Sequence, residues 1–254
     1  MTVSEIKNAL RGAGIENFDG EAYILNEEFC GEELEKAVAR RIKREPLQYI
    51  IGKWEFFREE YFVSPACLIP RSDTEILVEW LVKNLPENAN FLDLCTGSGC
   101  IAVSTAKNRP DTRGKACDIS TDALEIAKKN AAHNGVSTVE FFRADVTKSS
   151  PLDERFDCIV SNPPYIRTNV VDTLETELSY EPRIALDGGE DGMDFYHAIV
   201  ENFEKNLAPH GVFAFEMGYD QKSDAAALAQ KHGFKFTAIN DYGGNFRVAV
   251  LEKL

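Results

Sequence analysis

The clearest chemical pattern in the chain is five consecutive residues that follow an apolar run, Ser161-Asn162-Pro163-Pro164-Tyr165. A nitrogen conjugated to a planar π-system is a poor nucleophile because its lone pair is delocalised, so an enzyme must hold its N–H groups and aim the lone pair. The Asn162 side-chain oxygen can accept one N–H, and the Pro163 carbonyl, preset by the fixed φ of proline, can accept the other. Tyr165 can pack against the planar group. The motif therefore indicates transfer to an amide or amino nitrogen through positioning more than acid–base power.

A glycine-rich loop follows an earlier apolar run. It consists of Asp93-Leu94-Cys95-Thr96-Gly97-Ser98-Gly99. Its glycines allow a tight turn and the approach of a cofactor without a Cβ in the way. With Ala102 the same glycines also satisfy the dinucleotide fingerprint, and Asp118 lies at a spacing suited to a ribose hydroxyl. The loop therefore indicates a cofactor that contains adenosine and leaves its identity open.

Two acidic residues favour S-adenosylmethionine over NAD. Asp93 precedes the first glycine by four positions, at a strand end, where it can help to orient a methionine ammonium group. Asp145 ends the third predicted strand, where it can accept a hydrogen bond from the adenine amino group, although a helix cap or a solvated loop residue would look the same. Asp118 would accept hydrogen bonds from the ribose hydroxyls.

Helices are predicted at the start of the chain. Apolar residues recur there at helical spacing in two groups, Val3, Ile6 and Leu10, and Leu34, Val38 and Ile42. We predict a small helical domain over 1–52, which either recognises a substrate or simply caps the rest. An aromatic, extended stretch then predicts a connecting β-hairpin over 53–72.

Alternating strands and helices are predicted for a third domain over 73–254. Asp73 can cap its first helix. The predicted strands are 91–95, 114–118, 139–143, 156–161, 212–217, 235–240 and 246–251, and the predicted helices after residue 98 are 99–108, 121–134, 193–207 and 222–232. A long loop, 166–192, follows the fourth strand. This pattern predicts an α/β fold with a parallel sheet covered on both faces, ending in an antiparallel edge hairpin. Seven strands with a terminal hairpin form the Rossmann-like architecture of class I methyltransferases.

Composition narrows the class of protein. The chain has 254 residues and a net charge of −14. An acidic chain argues against a tight, sequence-independent grip on nucleic acid and fits a small molecule or a basic protein partner. No apolar run is long enough for a membrane span and no secretory signal is visible, so we expect a cytoplasmic protein. The six cysteines occur singly, so we expect free thiols and no metal site.

Several further motifs resemble the release factor glutamine methyltransferases, the HemK/PrmC family, over about residues 45–250. These motifs are 45–52 (EPLQYIIG), 62–65 (FVSP), 68–75 (LIPRSDTE), Asn162–Tyr165, 180–183 (YEPR), 185–186 and 188–189. The resemblance implies methylation of the side-chain amide of the glutamine in the Gly-Gly-Gln loop of class I peptide release factors. It also implies a helical N-terminal domain that helps to dock the release factor.

The same resemblance implies roles for individual residues. Thr96, Gly97 and Gly99 shape the cofactor loop, with Cys95 and Ser98 as its other members. Asp118 holds the ribose, and the turn at Asp145 and Val146 lines the adenine. Asn162 and Pro163 accept from the target amide, while Pro164 and Tyr165 shape its slot. Arg71 organises the wall on the cofactor side. The chain departs from the family pattern at Cys95, where glycine is usual, and at Ser72, where proline is common.

Two other functions remain open at this stage. The same acceptor geometry would serve an N-methyltransferase acting on the exocyclic amino group of adenine or guanine in nucleic acid, after the base is flipped out. A binding module that keeps the cofactor fold without catalysis is disfavoured by the intact motif and loop. We expect no sequence-specific nucleic-acid binding, no membrane association and a monomer.

Overall fold

A cluster of four helices forms the first part of the structure, a computed structural model that describes residues 1–253. The helices are α1 (Val3–Gly12), α2 (Phe18–Glu28), α3 (Gly31–Ile42) and α4 (Leu47–Ile51). They pack around a hydrophobic cluster of their own, which includes Ile6 and Leu25. Helix α1 begins with a capping box, in which the Thr2 side chain accepts from the Glu5 amide and the Glu5 carboxylate accepts from the Thr2 amide.

The buried face of α3 differs from the predicted one at a single position. Leu34 and Val38 are buried as predicted, but Ile42 is exposed and Arg41 is buried instead. The reason is geometric: at 100° per residue, a position seven residues after Leu34 returns to within about 20° of it, whereas the eighth is about 80° away. Arg41 therefore occupies the apolar face, and its charge requires buried partners.

A β-hairpin connects the helical cluster to the rest of the chain. Its strands, β1 (Lys53–Phe56) and β2 (Glu59–Phe62), pair antiparallel. Phe57 and Arg58 form the turn with φ of 50° and 70°, which is the backbone that a tight two-residue hairpin turn requires. The buried Tyr61 hydroxyl lies 2.5 Å from Ser104 Oγ, so the hairpin packs directly onto the larger part of the molecule.

The larger part alternates helices and strands, and it contains the remaining elements. They are α5 (Thr74–Asn84), β3 (Asn90–Leu94), α6 (Cys100–Asn108), β4 (Arg113–Asp118), α7 (Thr121–His133), β5 (Val139–Arg143), β6 (Phe156–Ser161), α8 (Thr168–Val171), α9 (Asp194–Phe203), β7 (Leu207–Glu216), α10 (Lys222–His232), β8 (Phe234–Asn240) and β9 (Phe246–Lys253). Each predicted strand and helix of this part is present, and the ends of most of them are shifted by a few residues.

One seven-stranded sheet organises this part, in the order β5-β4-β3-β6-β7-β9-β8. The first five strands are parallel, and β9 lies antiparallel between β7 and β8. The order reverses between β3 and β6, which brings the carboxyl ends of both strands to one crevice. The predicted Rossmann-like α/β fold is confirmed. No helix within residues 1–253 combines the length and apolar character needed to cross a bilayer.

The predicted loop 166–192 is an ordered segment, which we call the target-side segment. It contains α8 and two 3₁₀ turns, Thr176–Tyr180 and Arg183–Ala185. Its two ends are joined by backbone hydrogen bonds from Ile166 N to Leu186 O and from Gly188 N to Ile166 O, at 3.0 and 2.8 Å. The segment thus returns to the end of β6, where the Asn162 motif begins.

Candidate active site

A cavity of ≈ 300 Å³ opens beyond the carboxyl ends of β3, β4, β5 and β6. Ligands of open α/β sheets bind at this place, and the volume suits a small molecule. The sequence-predicted residues on the cavity wall are Cys95, Thr96, Gly97, Ser98, Asp118, Asp145, Val146, Asn162 and Pro164. The other four, Asp93, Gly99, Pro163 and Tyr165, adjoin these residues in the sequence but do not line the cavity.

The two glycines of the loop have different surroundings. Gly97 has a φ of +54°, and a Cβ added there would meet no atom within 4 Å, so its backbone faces open space at the cavity. Gly99 has a φ of +80°, and its added Cβ would come within 3.0 Å of Ala127 Cβ on α7. Gly97 therefore leaves room for a ligand, whereas Gly99 allows the helix that begins after the loop to pack closely against α7.

Cys95 adopts the left-handed backbone that the loop demands, with a φ of +59°. A side chain is disfavoured there by sterics, so a glycine would adopt this backbone with less strain. Burial raises the pKa of the Cys95 thiol well above its ordinary value. The thiol is therefore protonated and serves as a small apolar part of the cavity wall.

Asp118 joins the glycine loop to the end of β4. Its Oδ2 accepts from Gly97 N and its Oδ1 from Ser120 N, both at 2.9 Å. Burial raises the pKa of Asp118, and these backbone donors act in the opposite direction. Each carboxylate oxygen keeps a free lone pair, so Asp118 can hold the loop and still accept hydrogen bonds from a ligand.

Asp93 lies beneath the loop, with no exposed surface. Its Oδ2 accepts from the Thr96 hydroxyl at 2.5 Å, and within residues 1–253 its Oδ1 has no hydrogen-bond partner. Burial raises the pKa of Asp93 to about 7. The carboxyl can reach a ligand only through a water molecule or a shift of the loop.

Asp145 and Val146 form the far wall of the cavity, beyond β5. Asp145 Oδ1 accepts from the Thr147 amide at 2.9 Å and from the Thr147 hydroxyl at 2.6 Å. The Thr147 hydroxyl is the main cause of the lowered pKa of Asp145. Asp145 is therefore ionised and held in place, while Val146 adds an apolar surface.

The Asn162 motif begins where β6 ends. Asn162 Nδ2 donates to Thr74 Oγ1 at 3.3 Å, which leaves Asn162 Oδ1 as the free acceptor on the cavity wall. Pro163 is buried, and the Tyr165 hydroxyl points inward and donates to Glu216 Oε1 at 3.4 Å. A Cβ added at Gly188 would come within 2.6 Å of Tyr165 Cα. The target-side segment therefore supports the motif by direct backbone contact.

Two walls of the cavity were not predicted from local sequence patterns. One follows the hairpin and includes Cys67, Leu68, Pro70 and Thr74, together with Arg71, which the resemblance did indicate. The other comprises Pro182, Ile184, Ala185 and Phe195. Both walls fall in or beside the stretches that carry the family resemblance, which was the available signal.

Glu181 connects the two walls. Its carboxylate is buried, accepts from Ile69 N at 3.0 Å through Oε2 and forms an ion pair with Arg71 through Oε1. Two walls that are far apart in the sequence thus close the cavity on one side. The buried Glu181 carboxylate joins them, and its charge is balanced by Ile69 N and Arg71.

The strand order, the glycine loop after the first parallel strand and the cavity at the switch point define a Rossmann-like class I methyltransferase. The family model "Methyltransferase small domain" matches residues 72–189. Among solved structures, a methyltransferase from Pyrococcus furiosus has a TM-score of 0.58 at 19% identity, covering 78% of this chain and 89% of that chain. That structural similarity supports the assignment of the fold.

Two curated relatives are much more similar in sequence. The release factor glutamine methyltransferase of Thermodesulfovibrio yellowstonii is 39% identical over 91% of this chain and 86% of its own length. The protein of the same name from Geobacter sulfurreducens is 45% identical over 81% and 73%. The chain belongs to the release factor glutamine methyltransferase family, as its motifs predicted.

Proposed function

We propose that the protein transfers a methyl group from S-adenosylmethionine to the side-chain amide nitrogen of the glutamine in the Gly-Gly-Gln loop of class I peptide release factors. The main support is the state of Asn162. Its amino group is already bound to Thr74, so the oxygen remains as an acceptor beside the cofactor loop. A target NH₂ group needs such an acceptor.

The residues of the cavity suit S-adenosylmethionine. Gly97 leaves space where a side chain would intrude, Asp118 offers charged acceptors for ribose hydroxyls, and Asp145 with Val146 offers a polar and an apolar edge for adenine. Asp93 Oδ1 is a buried acceptor without a partner in the described residues, suited to the ammonium group through water. When bound, the cofactor supplies a sulfonium methyl: its carbon–sulfur bond breaks as the carbon–nitrogen bond forms, and the nitrogen releases a proton to solvent.

The chain contributes the positioning of the amide. Asn162 Oδ1 accepts one amide N–H and the Pro163 carbonyl accepts the other, which turns the nitrogen lone pair toward the cofactor side. Both acceptors are fixed before substrate arrives, Asn162 by Thr74 and Pro163 by its ring, so little reorganisation is needed. Pro164 on the cavity wall and Tyr165 behind it shape the slot. No general base is required, because the proton leaves only after the nitrogen has become cationic.

We assign release-factor docking to helices α1–α4, taking the boundaries 1–52, 53–72 and 73–254 for the three domains. The support is the buried Arg41, which pairs with Glu21 at 2.6 Å and with Glu177 of the target-side segment at 3.1 Å. Arg44 also pairs with Glu177, at 2.8 Å. A partner bound to the helices would therefore be held at a defined distance from the cavity.

The remaining expectations concern partners and place of action. Because its substrate acts in translation termination, we expect the enzyme to work in the cytoplasm. The net charge of −14 opposes a tight grip on nucleic acid. We expect a monomer, which size-exclusion chromatography with light scattering would test.

The test uses the purified protein with methyl-labelled S-adenosylmethionine and three acceptors: a release factor, the same factor with alanine in place of the loop glutamine, and RNA or DNA. We expect label only in the unaltered release factor, and mass spectrometry should place one added methyl group on the loop glutamine. Label in nucleic acid, or equal label in the alanine variant, would overturn the proposal.

A further inference from the structure

A buried polar cluster lies directly behind Asn162. We call it the Glu216 cluster, and it consists of Thr74, Tyr165 and Glu216, with the Arg247 cation near enough to favour the ionised form of Glu216. Thr74 begins α5 and is 2% exposed, while Glu216 ends β7 and is 1% exposed. The Tyr165 hydroxyl donates to Glu216 Oε1. A buried carboxyl that neither lines the cavity nor reaches solvent is costly to retain and calls for an explanation.

Glu216 can accept the hydrogen of the Thr74 hydroxyl. A hydroxyl has one hydrogen to donate and can accept in addition. Thr74 Oγ1 accepts from Asn162 Nδ2, so its own hydrogen must be donated elsewhere. Glu216 Oε2 is buried and has no partner of ordinary geometry within residues 1–253. Burial raises the pKa of Glu216 to about 7, and the Thr74 hydroxyl acts in the opposite direction, as a donor to that carboxylate would.

We propose that Glu216 is a positioning residue that accepts the Thr74 hydrogen and so fixes which atom of the Asn162 amide faces the cavity. The inference rests on the proposed function, since it concerns the acceptor that holds the target amide. At a pH above the pKa of Glu216 its carboxylate is ionised and can only accept hydrogen bonds. Thr74 must then donate to Glu216 and accept from Asn162, which leaves the Asn162 oxygen toward the target.

The opposite direction of the hydrogen bonds from Glu216 through Thr74 to Asn162 would disable the site. If Glu216 could donate to Thr74, the Thr74 hydrogen could go to Asn162 Oδ1 instead. Asn162 would then present its NH₂ group to the NH₂ group of the target, and two donors would face each other. The sequence-level motif does not distinguish these two orientations, because the Asn162 amide has the same shape in both.

Three substitutions test the proposal against a matched control. Thr74→Val keeps the shape but removes the hydroxyl, Thr74→Ser keeps the hydroxyl, and Glu216→Gln allows donation to Thr74. The control is Thr105→Val, at an equally buried threonine whose hydroxyl has no partner in the described residues. We expect T74V and E216Q to lower kcat about 10- to 100-fold, less than the roughly 100- to 1000-fold loss for a preorganised group that touches the reacting atoms, because both act through Asn162. The T74S variant should restore most of kcat, and T105V should leave it unchanged.

The binding constants separate positioning from general damage. The Kd of S-adenosylmethionine should change by less than about threefold in all four variants. Circular dichroism checks folding; if E216Q does not fold, the comparison of T74V with T74S still decides. A T74V variant with wild-type kcat, or a T74S variant as impaired as T74V, would overturn the proposal.

An activity-independent measurement keeps this proposal distinct from the proposed function. The side-chain amide NMR signals of Asn162, assigned by their loss in Asn162→Ala, report its hydrogen bond to Thr74. They should shift in T74V and E216Q and remain in T105V. Wild-type protein that methylates no release factor would overturn the proposed function alone, whereas amide signals that shift in T74V but not in E216Q would overturn the role of Glu216 alone.

Discussion

Replacing Asp118 with asparagine should weaken cofactor binding without unfolding the protein. The Asp118 carboxylate accepts from Gly97 N and Ser120 N, both at 2.9 Å, and lies on the cavity wall. Asparagine has the same shape, but one of its oxygens becomes an NH₂ group. That group must face one of the two backbone N–H donors or the ribose, so at least one charge-assisted hydrogen bond is lost.

The expected size of the effect follows from that loss. A hydrogen bond to a charged group contributes about 1.5–3 kcal/mol. The Kd of S-adenosylmethionine should therefore rise about 10- to 150-fold in D118N. Isothermal titration calorimetry measures it directly, and Asp122→Asn is the matched control, because Asp122 is exposed in the first turn of α7 and does not line the cavity.

Two outcomes decide the role of Asp118. A large rise in the Kd of S-adenosylmethionine in D118N, together with an unchanged Kd in D122N, supports a direct contact between Asp118 and the cofactor. A D118N protein that is folded and binds within about threefold of wild type would refute it, and the function of Asp118 would then be limited to tying the glycine loop to β4.

Three further predictions concern catalysis, docking and pH. Asn162→Ala should lower kcat by about 100-fold or more with little change in cofactor Kd, the scale for one preorganised polar group; wild-type turnover would remove Asn162 from the mechanism. Arg41→Met leaves Glu21 and Glu177 without their buried cation, so we expect a loss of about 3–5 kcal/mol in the free energy of unfolding and a lower kcat/KM for the release factor. Arg40→Met, at the more exposed pair with Glu45, should cost under about 1 kcal/mol, and equal losses would contradict the coupling. Burial raises the pKa of Asp93 to about 7, so the folded protein stays protonated there while the unfolded chain ionises from about pH 4. The free energy of unfolding of the cofactor-free wild type should therefore fall by up to about 4 kcal/mol relative to Asp93→Asn as pH rises from 4 to 7. Urea unfolding at each pH measures it, and the same pH dependence in the two proteins would contradict the prediction.

The sequence predicted the sheet well because its strands are short apolar runs separated by amphipathic helices. Strand β6 was predicted to the residue, since Phe156–Ser161 is bounded by charged residues before it and the proline pair after it. The position of β9 between β7 and β8 depends on long-range pairing, and no local pattern indicates it.

Two expectations from local sequence patterns, at Ile42 and at Asp73, differ from the structure. Ile42 was expected on the buried face of α3, but helical geometry places Arg41 there, and Glu21 of α2 and Glu177 of the target-side segment pair with its charge. Asp73 was expected to cap α5; it occupies the N-cap position but makes no capping hydrogen bond, and its carboxylate pairs with Arg247 Nη2 at 2.9 Å instead. At Asp73 a distant charge outweighs the local capping preference.

The cofactor side of the cavity was more predictable than the target side. The glycine loop, Asp118 and Asp145 each follow a strand, and parallel strands bring such positions to one edge of the sheet. The walls around Cys67 and Ile184 come from a connector and an inserted segment, whose positions depend on the buried Glu181 and its contacts with Ile69 and Arg71.

The central claim is that Asn162 Oδ1 and the Pro163 carbonyl hold the two hydrogens of the target amide. A crystal structure of the protein with S-adenosylhomocysteine and a release factor, or a peptide carrying its Gly-Gly-Gln loop, measures this directly. We predict that the glutamine Nε2 lies about 2.7–3.2 Å from both oxygens, with its lone pair toward the sulfur. A glutamine amide bound elsewhere in the cavity, or one that meets the Asn162 amino group, would contradict it.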